Sequence, residues 1–247
     1  MTKSTASKLL RQGIGVPGTS RRAQYSASTK RALVDVAERL FTDAGYAGAS
    51  LDAIVAGAEV TKGALYHHFH GKRALFEAVF EKVEGEAVLV ISKAMKEEKD
   101  PWEKAVVGLR TFLQVVQQPT YRRVVVQEGP AVLGYERFRE HEERSSYAII
   151  HDMVAAILTD KRRKVDDLLL QSFSSIFFGA MSAAGELVAD SDDPAGASHR
   201  VEVAIGYIIS GMQLVREAGV ELPTTEDFDE GTDPTDAEVD PDADPLD

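Results

Sequence analysis

The stretch Val60-Thr61-Lys62-Gly63-Ala64-Leu65-Tyr66-His67-His68-Phe69 decides how this chain is read. Thr61 stands where a hydroxyl can cap the start of a brief helix. Leu65 and Phe69 are four residues apart, so they share one helical face and predict an anchor in a core. The rest of the opening turn is Lys62, Gly63 and Ala64, small apart from one long cation. Small side chains let a backbone come close to bases and phosphates, and Lys62 can reach a phosphate or a guanine edge. Tyr66 and His67 add polar tips on the exposed side.

Upstream, Gly57-Ala58-Glu59-Val60 is short and contains a glycine, as a tight turn between two helices does. Before it, Leu51, Ile54 and Val55 fall on one helical face behind Ser50, a second capping residue. Further back, Leu33, Val36, Ala37, Leu40, Phe41 and Ala44 repeat at helical spacing, and Gly45 stands where a left-handed C-terminal cap belongs. Downstream, Lys72 opens another helix, whose free amide groups and dipole favour a phosphate. Two short helices joined by a tight turn on a basic segment predict a helix-turn-helix.

Taken together, Arg31-Ala32-Leu33, Ala37, Leu40-Phe41, Gly45-Tyr46, Ala49-Ser50-Leu51, Ile54, Ala58, the run Val60 to Phe69, Lys72 and Leu75-Phe76 resemble the tetracycline-repressor (TetR) family of bacterial transcription regulators. The resemblance covers residues 28–76. It implies a homodimer on a near-palindromic double-stranded operator, most simply a repressor, with Ser50, Thr61, Lys62, Gly63, Ala64, Tyr66, His67 and Lys72 at the DNA. It also implies a C-terminal helical domain that dimerises and binds a small-molecule effector, whose arrival respaces the two heads and releases the operator. One departure is Glu59, where the family often carries glycine. It puts a carboxylate near DNA and leaves Gly57 as the residue expected to ease the turn.

The charge of the whole chain argues the other way, since 28 Lys+Arg against 40 Asp+Glu give a net of −12. Resolved by segment, the contradiction disappears. Residues 1–73 carry a net of +6, residues 74–220 a net of −6, and residues 221–247, with 12 acids and no base, a net of −12. A basic arm is expected over 1–27, the helix-turn-helix over 28–75, a helical effector-binding and dimerisation domain over 76–220, and a disordered acidic tail over 221–247. The arm reads equally as an inert leader or as an extension that tracks phosphates or the minor groove. The tail reads as a solubilising appendage or as a competitor with DNA for the basic head.

Helical periodicity extends through the remainder, in Phe76, Val79, Phe80, Val83, Ala87 and Val90 and again in Tyr147, Ile150, Val154, Ile157 and Leu158. Asp100-Pro101 reads as a cap followed by a first-turn proline. Strand-like alternation is nearly absent, so the fold class is all-α. The longest uncharged stretch, Leu168–Gly185, is 18 residues long, yet its serines and the acids on either side suit a helix between helices better than one in lipid. No N-terminal apolar run of the signal-peptide kind is present, and a cytoplasmic protein is expected.

Several patterns invite other chemistry. There is no cysteine, which removes disulfides, thiol catalysis and cysteine-based metal centres. Gly13, Gly15 and Gly18 match a dinucleotide fingerprint in spacing, but no strand precedes them and Pro17 interrupts. His67, His68 and His70 lack a complementary ligand set, and His141-Glu142-Glu143 lacks the second histidine of a zinc-protease motif. That stretch is expected to be a solvated helix face. No enzyme, cofactor, metal or membrane partner is therefore expected.

An effector that is largely apolar or aromatic suits the body, where Trp102, Phe112, Tyr121, Tyr135, Tyr147, His151, Phe173, Phe177 and Met181 are the candidate pocket residues. Small residues cluster in Phe177–Gly185 and around Ala204–Gly211, which marks Phe178, Ala180, Ala184, Ala204, Ile208 and Gly211 as a dimer interface candidate, with packing inside one chain as the alternative. The rival readings are a TetR-like activator, a regulator without a small-molecule ligand, and a helical scaffold that binds protein.

Overall fold

The computed structural model describes residues 21–158 and 166–219, and all regular elements among them are helices. The arm before residue 21 and the tail from residue 221 lie outside the described residues. The described chain divides between Val79 and Phe80 into two units.

In the first unit, α1 (Arg21–Gly48) starts at Arg21 rather than at 28, since no proline or glycine interrupts the chain between Arg21 and Ala44. Gly45 breaks its regular course at φ 72°, ψ 173°, a positive φ as expected of glycine but in the extended region rather than the left-handed helical conformation of a C-terminal cap, and the helix resumes to Gly48. Two seven-residue helices follow, α2 (Leu51–Gly57) and α3 (Lys62–His68). Isolated helices this short do not persist in water, so packing must hold them. Ile54 of α2 and Leu65 of α3 are buried with Leu33, Ala37 and Phe41 of α1 and with Phe69. Leu75 and Phe76, at the start of α4 (Lys72–Lys96), complete this core. Phe41 and Phe76 meet edge to face at 5.2 Å, and Tyr46 meets Phe76 at 5.3 Å. Such pairs add about 0.5–1.5 kcal/mol to the burial itself.

The second unit is built from the rest of α4 and from α5 (Pro101–Val116), a π-helical segment (Tyr121–Glu128), α6 (Gly129–Leu133), α7 (Tyr135–Ser145), α8 (Tyr147–Leu158), α9 (Asp167–Ala189) and α10 (Pro194–Glu217). Asp100 caps α5 as anticipated, its Oδ1 accepting from the backbone N–H groups of Trp102 (2.8 Å) and Glu103 (3.1 Å). Helix α5 packs against α8, α9 and α10, and α8 packs along α9. The uncharged stretch anticipated as a buried helix lies in α9. That helix is long and apolar enough to cross a membrane by length and composition, and it is buried on one side only, through Phe178, Ala184 and Val188, with Leu168, Ile176 and Leu187 exposed.

Candidate functional site

The α2–α3 segment owes its shape to two hydroxyl caps and one strained residue. Ser50 Oγ accepts from the Ala53 N–H at 3.1 Å, and Thr61 Oγ1 accepts from the Ala64 N–H at 3.1 Å. Each such cap contributes about 1 kcal/mol. Between the helices the positive-φ position is Glu59, at φ 54°. This accounts for the departure noted at that residue. A side chain pays roughly 1–2 kcal/mol in this region and glycine does not. Gly57 does not ease the turn, contrary to expectation. It closes α2, where a Cβ would stand 2.8 Å from Val36 Cγ1, so its role is close approach of α2 to α1.

The anchoring residues Leu65 and Phe69 are buried, which turns the other face of α3 outward. Ser50, Thr61, Lys62, Gly63, Tyr66 and His67 are all exposed, and Ala64 is half-buried. Lys62 Nζ lies 2.6 Å from Asp52 Oδ1 of α2. That hydrogen bond and the Asp52 charge hold the ammonium above its ordinary pKa. Lys72 behaves differently from its neighbours. Its ammonium donates to the Ala47 carbonyl at 3.3 Å and lies 4.5 Å above the Tyr46 ring, so it also fastens α4 to the end of α1. His68 packs beside Phe69, and burial, with His67 and Lys30 near, pushes its pKa below the ordinary histidine value.

The second unit contains a cavity of about 140 Å3. Of the nine residues anticipated there, Trp102, Phe112, Tyr121, Phe177 and Met181 line it. Tyr135, Tyr147, His151 and Phe173 do not. Tyr135 is largely exposed at the start of α7. On α8 the cavity takes Ile149, Ile150, Met153 and Val154, so Tyr147 and His151 fall on a different stripe, where Tyr147 packs on Phe178 at 5.8 Å. Phe173 lies one turn before Phe177, the first α9 residue at the wall.

Among the wall residues that the sequence reading does not place there are two acids, Glu84 and Glu142. Glu84, only 4% exposed, accepts from Ser145 Oγ at 2.5 Å and from Ser146 Oγ at 3.5 Å, both through Oε1. Burial pushes its carboxyl above the ordinary value. Glu142 accepts from Ser182 Oγ at 3.4 Å, and burial raises its pKa to about 7 against the pull of Arg139, with the Glu84 charge adding to the rise. In the stretch His141-Glu142-Glu143 only Glu143 is on a solvated face. His141 is 5% exposed and Glu142 faces the cavity, because α7 turns this side onto Phe80 (5.5 Å from the His141 ring). A signal for Glu84 was present, since it interrupts the apolar stripe of Phe80, Val83 and Ala87. Tyr121, at the start of the π-helical segment, is buried there as well, and burial raises its hydroxyl's pKa further. Such segments are frequent at functional sites.

The dimer candidates also separate. Phe178 and Ala184 are buried inside the unit, whereas Ala204, Ile208 and Gly211 are exposed and Ala180 is half-buried. Ile176 and Leu187 of α9 and Val203, Tyr207 and Leu214 of α10 extend the exposed apolar surface.

A helix-turn-helix head joined to a cavity-bearing helical body defines a class of DNA-binding transcription regulators rather than enzymes. The comparisons agree. Residues 33–79 match the family described as bacterial regulatory proteins, tetR family, and residues 102–212 match the tetracyclin repressor-like C-terminal domain. The chain belongs to the TetR family of transcription regulators. It is 24% identical over 143 residues to the transposon Tn10 TetC protein of Escherichia coli, covering 57% of this chain and 71% of that protein. It is 28% identical over 107 residues to the HTH-type transcriptional regulator SrpR of Pseudomonas putida, covering 43% of this chain and 50% of that one. The chain thus matches only half the length of SrpR. A crystal structure of a TetR-family regulator from Pectobacterium atrosepticum superposes with a TM-score of 0.63 at 26% identity, covering 76% of this chain and 96% of that one.

Proposed function

We propose that this protein is a cytoplasmic repressor that binds a near-palindromic operator as a homodimer, one α3 helix per half-site, and is released by a small molecule entering the cavity. The observation that carries the reading is the exposed face of α3, with Lys62, Tyr66 and His67 outward and Leu65 and Phe69 fixed in the core. Ser50 and Thr61 stand at the starts of the two helices, where hydroxyls suit phosphate contact, and Gly63 and Ala64 allow close approach. Lys72 combines its internal contacts with a place at the head of α4.

Dimerisation is supported by the apolar surface of α9 and α10. Ile176, Leu187, Tyr207, Ile208 and Leu214 are each more than half exposed, which a lone soluble protomer rarely sustains across two adjacent helices. The interface proposed here comprises these residues with Ala180, Ala204 and Gly211, without the buried Phe178 and Ala184.

Release requires an effector that binds the non-DNA conformation more tightly than the DNA-bound one. Helix α4 suits that coupling, because Lys72, Leu75 and Phe76 belong to the head while Glu84, Ala87 and Val88 line the cavity. Selection of bound duplexes from a pool of genomic fragments tests the reading. A recovered sequence with two-fold symmetry supports it, and recovery no better than random DNA contradicts it.

A further inference from the structure

The cavity wall carries charge of one sign only. Trp102, Phe112 and Phe177 supply aromatic faces, and Met95, Met153 and Met181 add polarisable sulfur. Among the described residues the charged members of the lining are three glutamates, Glu84, Glu142 and Glu186, with no lysine, arginine or histidine. A wall of this kind opposes an anion, and it offers a cation both carboxylates and ring faces.

The hydrogen bonding of Glu84 points the same way. Both serine hydroxyls donate to Oε1, which leaves Oε2 as the carboxylate oxygen open to a ligand in a residue only 4% exposed. An ionised carboxylate placed so deeply is costly unless a partner arrives. The basic side chains beside these carboxyls have other neighbours. Arg139 reaches Glu143 at 3.4 Å and lies 5.4 Å over the Phe178 ring, and the His141 ring nitrogen is 3.7 Å from Glu81. Burial accordingly lifts both carboxyls, which a bound cation would reverse.

We infer that the cavity takes a cationic aromatic ligand, an ammonium group on a single-ring body, with the ring among Trp102, Phe112 and Phe177 and the ammonium between Glu84 and Glu142. This rests on the effector reading above and specifies its chemistry. The size agrees, since a cavity of about 140 Å3 is near the roughly 150 Å3 that accommodates one benzene-sized ring.

Three probes of nearly one shape separate charge from shape: benzylamine, benzyl alcohol and benzoate, titrated calorimetrically into the full chain near neutral pH. Benzylamine is expected to bind about tenfold or more tightly than the alcohol, with benzoate weakest. In Glu84→Gln and Glu142→Gln the amine's advantage is expected to shrink to about threefold or less while the alcohol's affinity holds. Equal binding of amine and alcohol by the natural chain overturns the inference, as does preference for benzoate, an advantage retained in both variants, or no binding of any probe at about 10 mM. A parallel DNA-binding measurement separates the two layers of the argument. Benzylamine that binds through the glutamates yet leaves DNA bound upholds the ligand class and overturns effector release. Benzyl alcohol or benzoate that releases DNA where the amine does not upholds release and overturns the ligand class.

Discussion

Lys62 Nζ and Asp52 Oδ1 stand 2.6 Å apart, so the one lysine of α3 is tied to the first turn of α2 on the exposed side of the helix-turn-helix. Both side chains are well exposed, and an ion pair in water at this exposure is readily exchanged for another partner. The carboxylate nevertheless sits where DNA phosphates would approach. Asp52→Asn is expected to tighten DNA binding about threefold to tenfold at low salt, and to steepen the salt dependence as Lys62 turns to a phosphate. Fluorescence anisotropy across a salt series reads this. Weaker binding by the variant would mean that the pair positions Lys62 rather than competing for it.

Glu59 carries the backbone strain of the turn at φ 54°. Glu59→Gly is expected to raise stability by about 0.5–1 kcal/mol, the relief of strain being partly offset by the freedom glycine gains in the unfolded chain. Urea denaturation measures it. Gly57→Ala is expected to do the opposite and cost about 1–3 kcal/mol, since the new methyl meets Val36 Cγ1 at 2.8 Å. Equal stability of the two variants would remove the distinction drawn between strain at Glu59 and close approach at Gly57.

Glu142 makes stability depend on pH in a stated direction. Its carboxyl is raised from the ordinary value of 4.5 to about 7. Between those values the folded chain holds a proton that the unfolded chain releases, so this group lowers stability as pH rises through the window and has no further effect above it. Glu142→Gln is expected to be more stable than the natural chain near pH 8 by about 1–2 kcal/mol, a figure discounted for partial exposure, with the difference vanishing near pH 4. Denaturation midpoints at the two pH values check this. A variant less stable near pH 8 would contradict the burial argument.

Phe41 tests the core beneath the reading helix. It is completely buried and meets both Phe76 and Tyr46, so Phe41→Ala is expected to cost about 3–5 kcal/mol and to lose DNA binding through loss of the head. Circular dichroism with a DNA-binding titration checks both effects. DNA binding retained in a destabilised variant would show that α3 does not need this support.

The head was legible because its signals are local. Ser50 and Thr61 cap the helices they precede, and Leu65 and Phe69 lie one turn apart, so the face they bury follows from spacing alone. Gly57 was misread because a glycine in a turn can serve conformation or close packing, and only the position of Val36 distinguishes them. The cavity was legible in half. Aromatic residues on α5 and α9 were found by type, but which stripe of α8 faces inward depends on how α8 meets α9, and so Tyr147 and His151 were misplaced. Glu84 and Glu142 come together from helices far apart in sequence, and no local spacing records their meeting. The acid within the α4 stripe was the one available clue. Phe178 and Ala184 are buried within the protomer for a related reason, since small and apolar composition marks a packed helix without saying which side faces outward.

The central claim is that α3 reads DNA, and one measurement tests it most directly. Fluorescence anisotropy with a duplex selected by the natural chain would compare that chain with the double variant Lys62→Ala, Tyr66→Phe, both verified as folded by circular dichroism. The account predicts at least about a tenfold loss of affinity for the selected duplex, with a salt dependence about one unit shallower. Affinity and salt dependence equal to those of the natural chain would contradict it and place the reading surface elsewhere.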